Sequence, residues 1–143
     1  MAEGEKVMLY PHLPIRALSI IQPWPTLIVL GMKDIENRDW STNYRGPVAI
    51  HAGKKLDESC AISLDRGYHP VSNRRVRYLP DTQTYRRGGI IGVADIVDCV
   101  EASDSEWFVG RYGFVLANPK PCEFIPVKGA LGFFDWRKNL ETA

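Results

Sequence analysis

The chain has 143 residues, of which 45% are hydrophobic and 24% charged, with a formal net charge of +1. That length and composition suit one globular domain with its own core and exclude a wholly disordered chain. The longest uninterrupted apolar run, Leu27 to Leu30, is far too short to cross a bilayer, so no membrane span and no membrane partner are expected.

In chain order, residues 1–16 are expected to form a flexible arm, since Pro11 and Pro14 both disfavour helix. Ala17 to Ile21 is apolar and β-branched at its end and predicts a first strand, which Pro23 and Pro25 terminate. Pro25 then opens a short apolar helix over Thr26 to Met32, with Gly31 as its left-handed stop. From Asp34 to Trp40 the alternation would place Glu36, Arg38 and Trp40 on one face of a strand. Asn43 to Gly46 is a turn, Pro47 to Ala52 a strand, and Leu56 to Leu64 a helix that Asp57 can cap, with Gly53-Lys54-Lys55 as a small basic loop between them.

From Asp65 to Gly89 apolar periodicity disappears and arginine, proline and glycine accumulate, the pattern of a long excursion at 66–89. Ile90 to Val100 then reads as a strand, and Gly92 inside it suggests a bulge or a close approach by another backbone. Glu101 to Val109 is an acidic surface turn or short helix. Tyr112 to Ala117 and Cys122 to Val127 read as two strands joined by Asn118-Pro119-Lys120-Pro121, and Phe133 to Trp136 supplies a last apolar patch. About six short strands with one or two short helices predict an α+β fold, a small mixed and mostly antiparallel β-barrel over 17–143. A doubly wound parallel sheet would need several longer crossover helices.

The near-neutral total hides an uneven distribution. Arg66, Arg74, Arg75, Arg77, Arg86 and Arg87 crowd the excursion, while Asp95, Asp98, Glu101, Asp104 and Glu106 follow with no base among them. Tyr68, Tyr78 and Tyr85 lie among the arginines and offer stacking faces for unpaired bases, so the excursion reads as either a nucleic-acid surface or a solvated loop. The start, Met-Ala-Glu-Gly-Glu-Lys, lacks the features of a secretory signal, which fits a cytoplasmic location. Cys60, Cys99 and Cys122 are odd in number and without a Cys-x-x-Cys pair, so neither a disulfide framework, a metal site nor a cofactor is indicated.

The densest chemistry lies between Gln22 and Arg38, where Trp24 stands between prolines and Lys33, Glu36 and Arg38 follow the helix stop. Lys33 is either a phosphate-binding or proton-accepting amine or a solvated lysine at a helix C-terminus. Glu36 and Arg38 either pair with each other or present an acceptor and a planar donor fork to a base. Trp24 is a stacking platform or a core plug. His51, Lys54 and Lys55 suggest a phosphate site, with a plain surface turn as the alternative.

The run Ala17 to Trp40, with Gln22-Pro23-Trp24 and Gly31-x-Lys33-x-x-Glu36-x-Arg38, resembles the ASCH domain, a member of the PUA-like superfamily. Tyr44-Arg45-Gly46, His51-Ala52-Gly53-Lys54-Lys55, the Gly89 to Asp98 strand and Lys128-Gly129-Ala130-Leu131-Gly132-Phe133 extend the resemblance over nearly the whole chain after residue 16. The resemblance implies a β-barrel with a cleft between the first helix and the sheet that holds RNA, DNA or a modified nucleoside. Some small ASCH proteins are amidohydrolases that deacetylate N4-acetylcytidine, and others have been assigned ribonuclease activity. The amidohydrolase motif carries a catalytic lysine at the position of Lys33 and a threonine where this chain has Glu36.

The leading expectation is therefore a protein that binds nucleic acid, above all single-stranded RNA, or a nucleoside through a basic cleft. Its candidate binding residues are Trp24, Lys33, Glu36, Arg38, Arg45, His51, Lys54, Lys55, Arg74, Arg75, Arg77 and Lys128. The alternative is a hydrolase, amidohydrolase or ribonuclease, using Lys33 and Glu36. A third reading is a protein-interaction module using the acidic edge from Asp95 to Glu106.

Overall fold

The computed structural model describes residues 10–76 and 81–140. Its strands are β1 (Arg16–Gln22), β2 (Ile35–Arg38), β3 (Gly46–Leu56), β4 (Gly89–Val100), β5 (Tyr112–Pro126) and β6 (Phe133–Asp135). Helix α1 (Trp24–Val29) lies between β1 and β2, and α2 (Glu58–Asp65) follows β3. The strands form one mixed sheet in the order β2-β5-β4-β3-β1-β6, in which only β1 and β3 run parallel. No described helix is long and apolar enough to cross a membrane.

Strand alternation sends Leu18 and Ile20 of β1 to one face, where they pack with Val48, Ile50, Ile96 and Phe114. The opposite face is also covered: Ala17, Ala49, Ile90 and Ile125 pack around Trp136, whose indole N–H donates to the Pro14 carbonyl at 2.7 Å. A third cluster joins Leu27 of α1, Ile35 of β2, Leu64 of α2 and Trp107. Burial of both faces in the middle of the sheet explains why β1, β3 and β4 read as near-continuous apolar runs.

The expected barrel is incomplete. β2 and β6 are the two edges of the sheet and no backbone ladder joins them. Side chains fill the gap instead, with Trp40 edge-on to Phe114 at 5.1 Å and to Phe133 at 5.3 Å. The two strands expected on either side of Asn118 are one strand, β5, of 15 residues. Its pairing with β4 continues through Pro119 and Pro121 because register shifts absorb the prolines, and Asn118 takes a φ of 52° there.

Gly53-Lys54-Lys55, expected as a loop, is the end of β3, held because β1 keeps pairing with it as far as Gln22 and Leu56. Gly92 is the close approach expected of it: a Cβ there would lie 2.4 Å from the Lys120 carbonyl oxygen and 2.5 Å from Val29. Asp57 caps α2, its carboxylate accepting from the Cys60 N–H at 3.3 Å. The excursion is folded over its first part: Tyr68 bridges Arg75, and the His69 N–H donates to the Arg74 carbonyl at 2.7 Å.

Candidate functional site

The site begins with the stop of α1. Gly31 adopts a φ of 80°, and the N–H groups of Met32 and Lys33 both donate to the Leu27 carbonyl, at 2.9 and 3.0 Å. This turn drives the Lys33 side chain inward, where only 3% of the residue is exposed. Its Nζ donates to the Ile35 carbonyl and lies 3.4 Å from Glu36 Oε1. The other carboxylate oxygen of Glu36 accepts from Arg38 Nε at 3.1 Å and pairs with Nη2 at 3.0 Å. Arg38 Nη2 also donates to the Ser19 carbonyl at 2.9 Å, so Arg38 ties edge strand β2 to β1.

Burial lowers the Lys33 pKa, and the Glu36 charge and hydrogen bond and the Asp34 charge only partly restore it. Glu36 is thus one buried carboxylate shared by two cations. Such an arrangement fixes the positions of all three groups at the floor of the surrounding cleft.

That cleft has a volume of about 470 Å³ and is bounded by Ser19 and Ile21 of β1, Trp24, the three charged residues, Asp39, Asp57 and Val109. Trp24 is half-buried, its ring 5.5 Å from Lys33 Nζ and edge-on to Trp107 at 6.1 Å. Asn37 closes one side, donating to the Trp107 carbonyl at 2.9 Å and accepting from the Val109 N–H at 3.1 Å. Two cations, Lys33 and Arg38, face three carboxylates, Glu36, Asp39 and Asp57, so the lining is not basic as expected. Burial raises the Asp57 pKa, but hydrogen bonds from Cys60, Ser59 and Trp24 outweigh it and hold the carboxyl below its usual range.

Of the residues singled out from the sequence, Trp24, Lys33, Glu36 and Arg38 converge on this cleft and the other described ones do not. His51 is buried against the opposite face. Its Nε2–H donates to the Val127 carbonyl at 2.7 Å, which leaves Nδ1 to accept from the Ser19 hydroxyl at 2.8 Å. Arg45 is exposed and lies 3.5 Å from Asp98. Arg74 makes a two-pronged contact with Glu106, at 2.8 and 2.9 Å, and holds the Glu106 pKa down to about 2. Arg75 lies over the Tyr68 ring, and Lys128, Lys54 and Lys55 are exposed. Arg77 and Tyr78 lie outside the described residues.

The arginine-rich excursion and the acidic stretch therefore partly neutralise each other. Ser72 also donates to Glu106 at 2.8 Å, and the ring of buried His69 packs at a tilt against Trp107, with centroids 3.9 Å apart. His69 Nε2 is 3.3 Å from Glu106 Oε1, an electrostatic contact without hydrogen-bond geometry. Sequence reasoning missed Ser19, Asn37, Asp39, Asp57 and Trp107 as parts of the cleft and its walls. Asn37 lies within the Gln22 to Arg38 stretch and Asp39 just beyond it, but strict alternation puts both on the far side of β2; that strand ends at Arg38, so alternation no longer fixes where Asp39 points, and it lines the cleft. A larger concavity of about 640 Å³ lies at the other sheet edge, around Tyr44 and Phe133, but it contains none of the buried charged groups.

The family model for the ASCH domain matches residues 18–126. Activating signal cointegrator 1 of Mus musculus and that of Homo sapiens are each 30% identical to the chain over 122 residues. Those alignments cover 78% of this chain but only 20% of either relative, so the chain spans about a fifth of their length. Among solved structures, two point variants of ZmASCH from Zymomonas mobilis each align with a TM-score of 0.44 and 16% identity. They cover 78% of this chain and 74% and 72% of theirs.

Proposed function

Since the chain belongs to the ASCH domain family, we propose that it binds RNA or a nucleoside by admitting one base to the cleft beside Trp24. The observation that carries this reading is the placement of a half-buried indole next to a fixed acceptor and donor pair, Glu36 and Arg38, in a cleft of about 470 Å³. A cleft of that size fits a small heteroaromatic ligand held by an apolar face and a few fixed polar groups. Trp24 would stack on the base, Glu36 would accept from an exocyclic amine, and Arg38 would donate to a ring acceptor. Three carboxylates against two cations favour a neutral base over a phosphate inside the cleft.

Titration of the protein with free nucleosides and with short single-stranded RNA at low salt, followed by calorimetry, tests this. Binding that is lost in Trp24→Ala supports the reading. Absence of binding to every nucleoside and oligonucleotide, or a Trp24→Ala variant that binds as well as the parent, overturns it.

The hydrolase reading has one specific observation behind it, the burial-lowered amine of Lys33 on the wall of a cleft. An amine brought nearer neutrality can accept a proton from water or from a substrate amide, and Glu36 can relay it. Incubation with N4-acetylcytidine and detection of cytidine decides this reading, and turnover that survives Lys33→Ala removes the role given to Lys33.

A further inference from the structure

The cations that sequence patterning made conspicuous divide into two kinds. Arg38, Arg45 and Arg74 are each paired with a carboxylate. Lys54, Lys55, Arg86 and Arg87 are exposed, and among the described residues none of them lies in an ion pair. The fold gathers these four. Arg87 Nη1 donates to the Lys54 carbonyl at 3.4 Å, and a Cβ on Gly88 would lie 3.8 Å from Lys54 Cγ. Arg86 lies over Phe124, with its guanidinium carbon 4.2 Å from the ring centre. Lys55 is the next residue of β3, where strand alternation turns its side chain to the other face from Lys54, so the end of β3 and the chain just before β4 carry four exposed cations around one corner of the sheet.

That corner adjoins the cleft. The Gln22 side chain donates to the Arg86 carbonyl at 2.7 Å and to Thr26 Oγ1 at 2.8 Å, linking the patch to the first turn of α1, where Trp24 sits. Ile21 on one side and Asp57 on the other belong to the cleft wall, and the Asp57 N–H donates to the Gln22 carbonyl at 2.6 Å. Lys54 and Lys55 therefore lie three and two residues along the chain from the cleft wall at Asp57, and Arg86 is joined to that wall by hydrogen bonds through Gln22. Unpaired, exposed cations beside a cleft that is itself acidic in balance separate two tasks, backbone attraction outside and base recognition inside.

We propose that Lys54, Lys55, Arg86 and Arg87 form a phosphate-contacting surface for single-stranded nucleic acid, with Arg86 on Phe124 as a stacking face for the base next to the one in the cleft. The proposal rests on the base-binding reading of that cleft. A single strand suits it because a base must be free of its partner both to enter beside Trp24 and to stack on Arg86. It also reassigns the electrostatic attraction from Arg74 to the far end of the excursion.

The test is anisotropy of a labelled oligouridylate over a range of salt concentrations, with calorimetry of a free nucleoside in parallel. Substituting Lys54→Gln, Lys55→Gln, Arg86→Gln and Arg87→Gln together should flatten the salt slope of the oligonucleotide by about 3, at about 0.7 for each phosphate that is no longer neutralised. Affinity for the free nucleoside should be unchanged, and Arg45→Gln with Arg74→Gln should leave the slope as it was. Since all four side chains are exposed, circular dichroism should be that of the parent; should it differ, Lys55→Gln with Arg87→Gln alone must still flatten the slope by about half as much. A slope that the substitutions do not move overturns the proposal, as does a parent protein that binds the nucleoside but no oligonucleotide. Capture by vesicles of phosphatidylserine and phosphatidylcholine without oligonucleotide binding also overturns it, and reassigns the patch to a lipid surface. A parent that binds neither nucleoside nor oligonucleotide removes the base-binding reading and this one with it.

Discussion

Lys33 and Glu36 form an ion pair inside the protein, 3.4 Å apart, with side chains 2% and 7% exposed. Removing one partner of a buried pair leaves a charge without compensation, at a cost of about 3–5 kcal/mol. The two single substitutions are not equivalent here. Glu36→Ala strands both Lys33 and Arg38 and is expected to destabilise by that amount. Lys33→Met leaves Glu36 its bonds with half-buried Arg38, so it is expected to cost clearly less. Urea unfolding of both variants checks the order; equal losses would mean that Arg38 does not hold Glu36.

Gly92→Ala is expected to destabilise by at least about 1–3 kcal/mol, the usual cost of overpacking. The added methyl would meet the Lys120 carbonyl and Val29 at 2.4 and 2.5 Å, and the first of these is backbone that cannot rotate away. Because Val29 belongs to α1, the displacement is transmitted to the helix that carries Trp24. Thermal unfolding would reveal the loss, and a parent-like melting temperature would contradict the tight packing of α1 on β4.

Much of the site was legible because its chemistry is local. Pro25, Gly31 and the spacing of Lys33, Glu36 and Arg38 specify a short helix, a left-handed stop and the return of the chain, so one continuous stretch builds half of the cleft. What the sequence concealed depends on partners far along the chain. Arg74 looked free until the fold placed Glu106 against it, 32 residues away. His51 looked like a site residue because it precedes the basic Gly53-Lys54-Lys55 segment, but both faces of the sheet are covered and the ring is buried. The prolines of β5 suggested a break, but the bulged pairing with β4 tolerates a missing donor.

Trp24→Ala is expected to weaken binding of a single base by about 1–3 kcal/mol, the range for loss of one aromatic stacking face. Trp107 touches Trp24 edge-on and is buried, so Trp107→Phe should alter binding less than Trp24→Ala. The pair of variants separates stacking from support. Nucleoside titration by calorimetry provides the comparison, and a larger loss in Trp107→Phe would place the base elsewhere.

Stability should fall on mild acidification. His51 and His69 are both buried, and burial lowers each imidazole below the ordinary value of 6.5 despite a raising hydrogen bond to Val127 in one case and the Glu106 charge in the other. In the unfolded chain both rings take up a proton near that value, while in the folded chain they do so only at lower pH. Between the two values the unfolded state binds more protons, so the stabilisation is complete above about 6.5 and declines as pH falls through the window below it. The geometry explains the resistance. His51 Nδ1 is occupied as an acceptor by Ser19, and His69 Nδ1 accepts from the N–H groups of Val71 and Ser72 at 3.1 and 3.2 Å, so a proton on either nitrogen displaces existing bonds. Urea midpoints measured from about pH 7.5 down to about pH 5 should fall, and less steeply in His51→Gln, whose side-chain amide can still donate to the Val127 carbonyl without titrating. A midpoint that rises with acid would mean that the rings are charged in the folded protein.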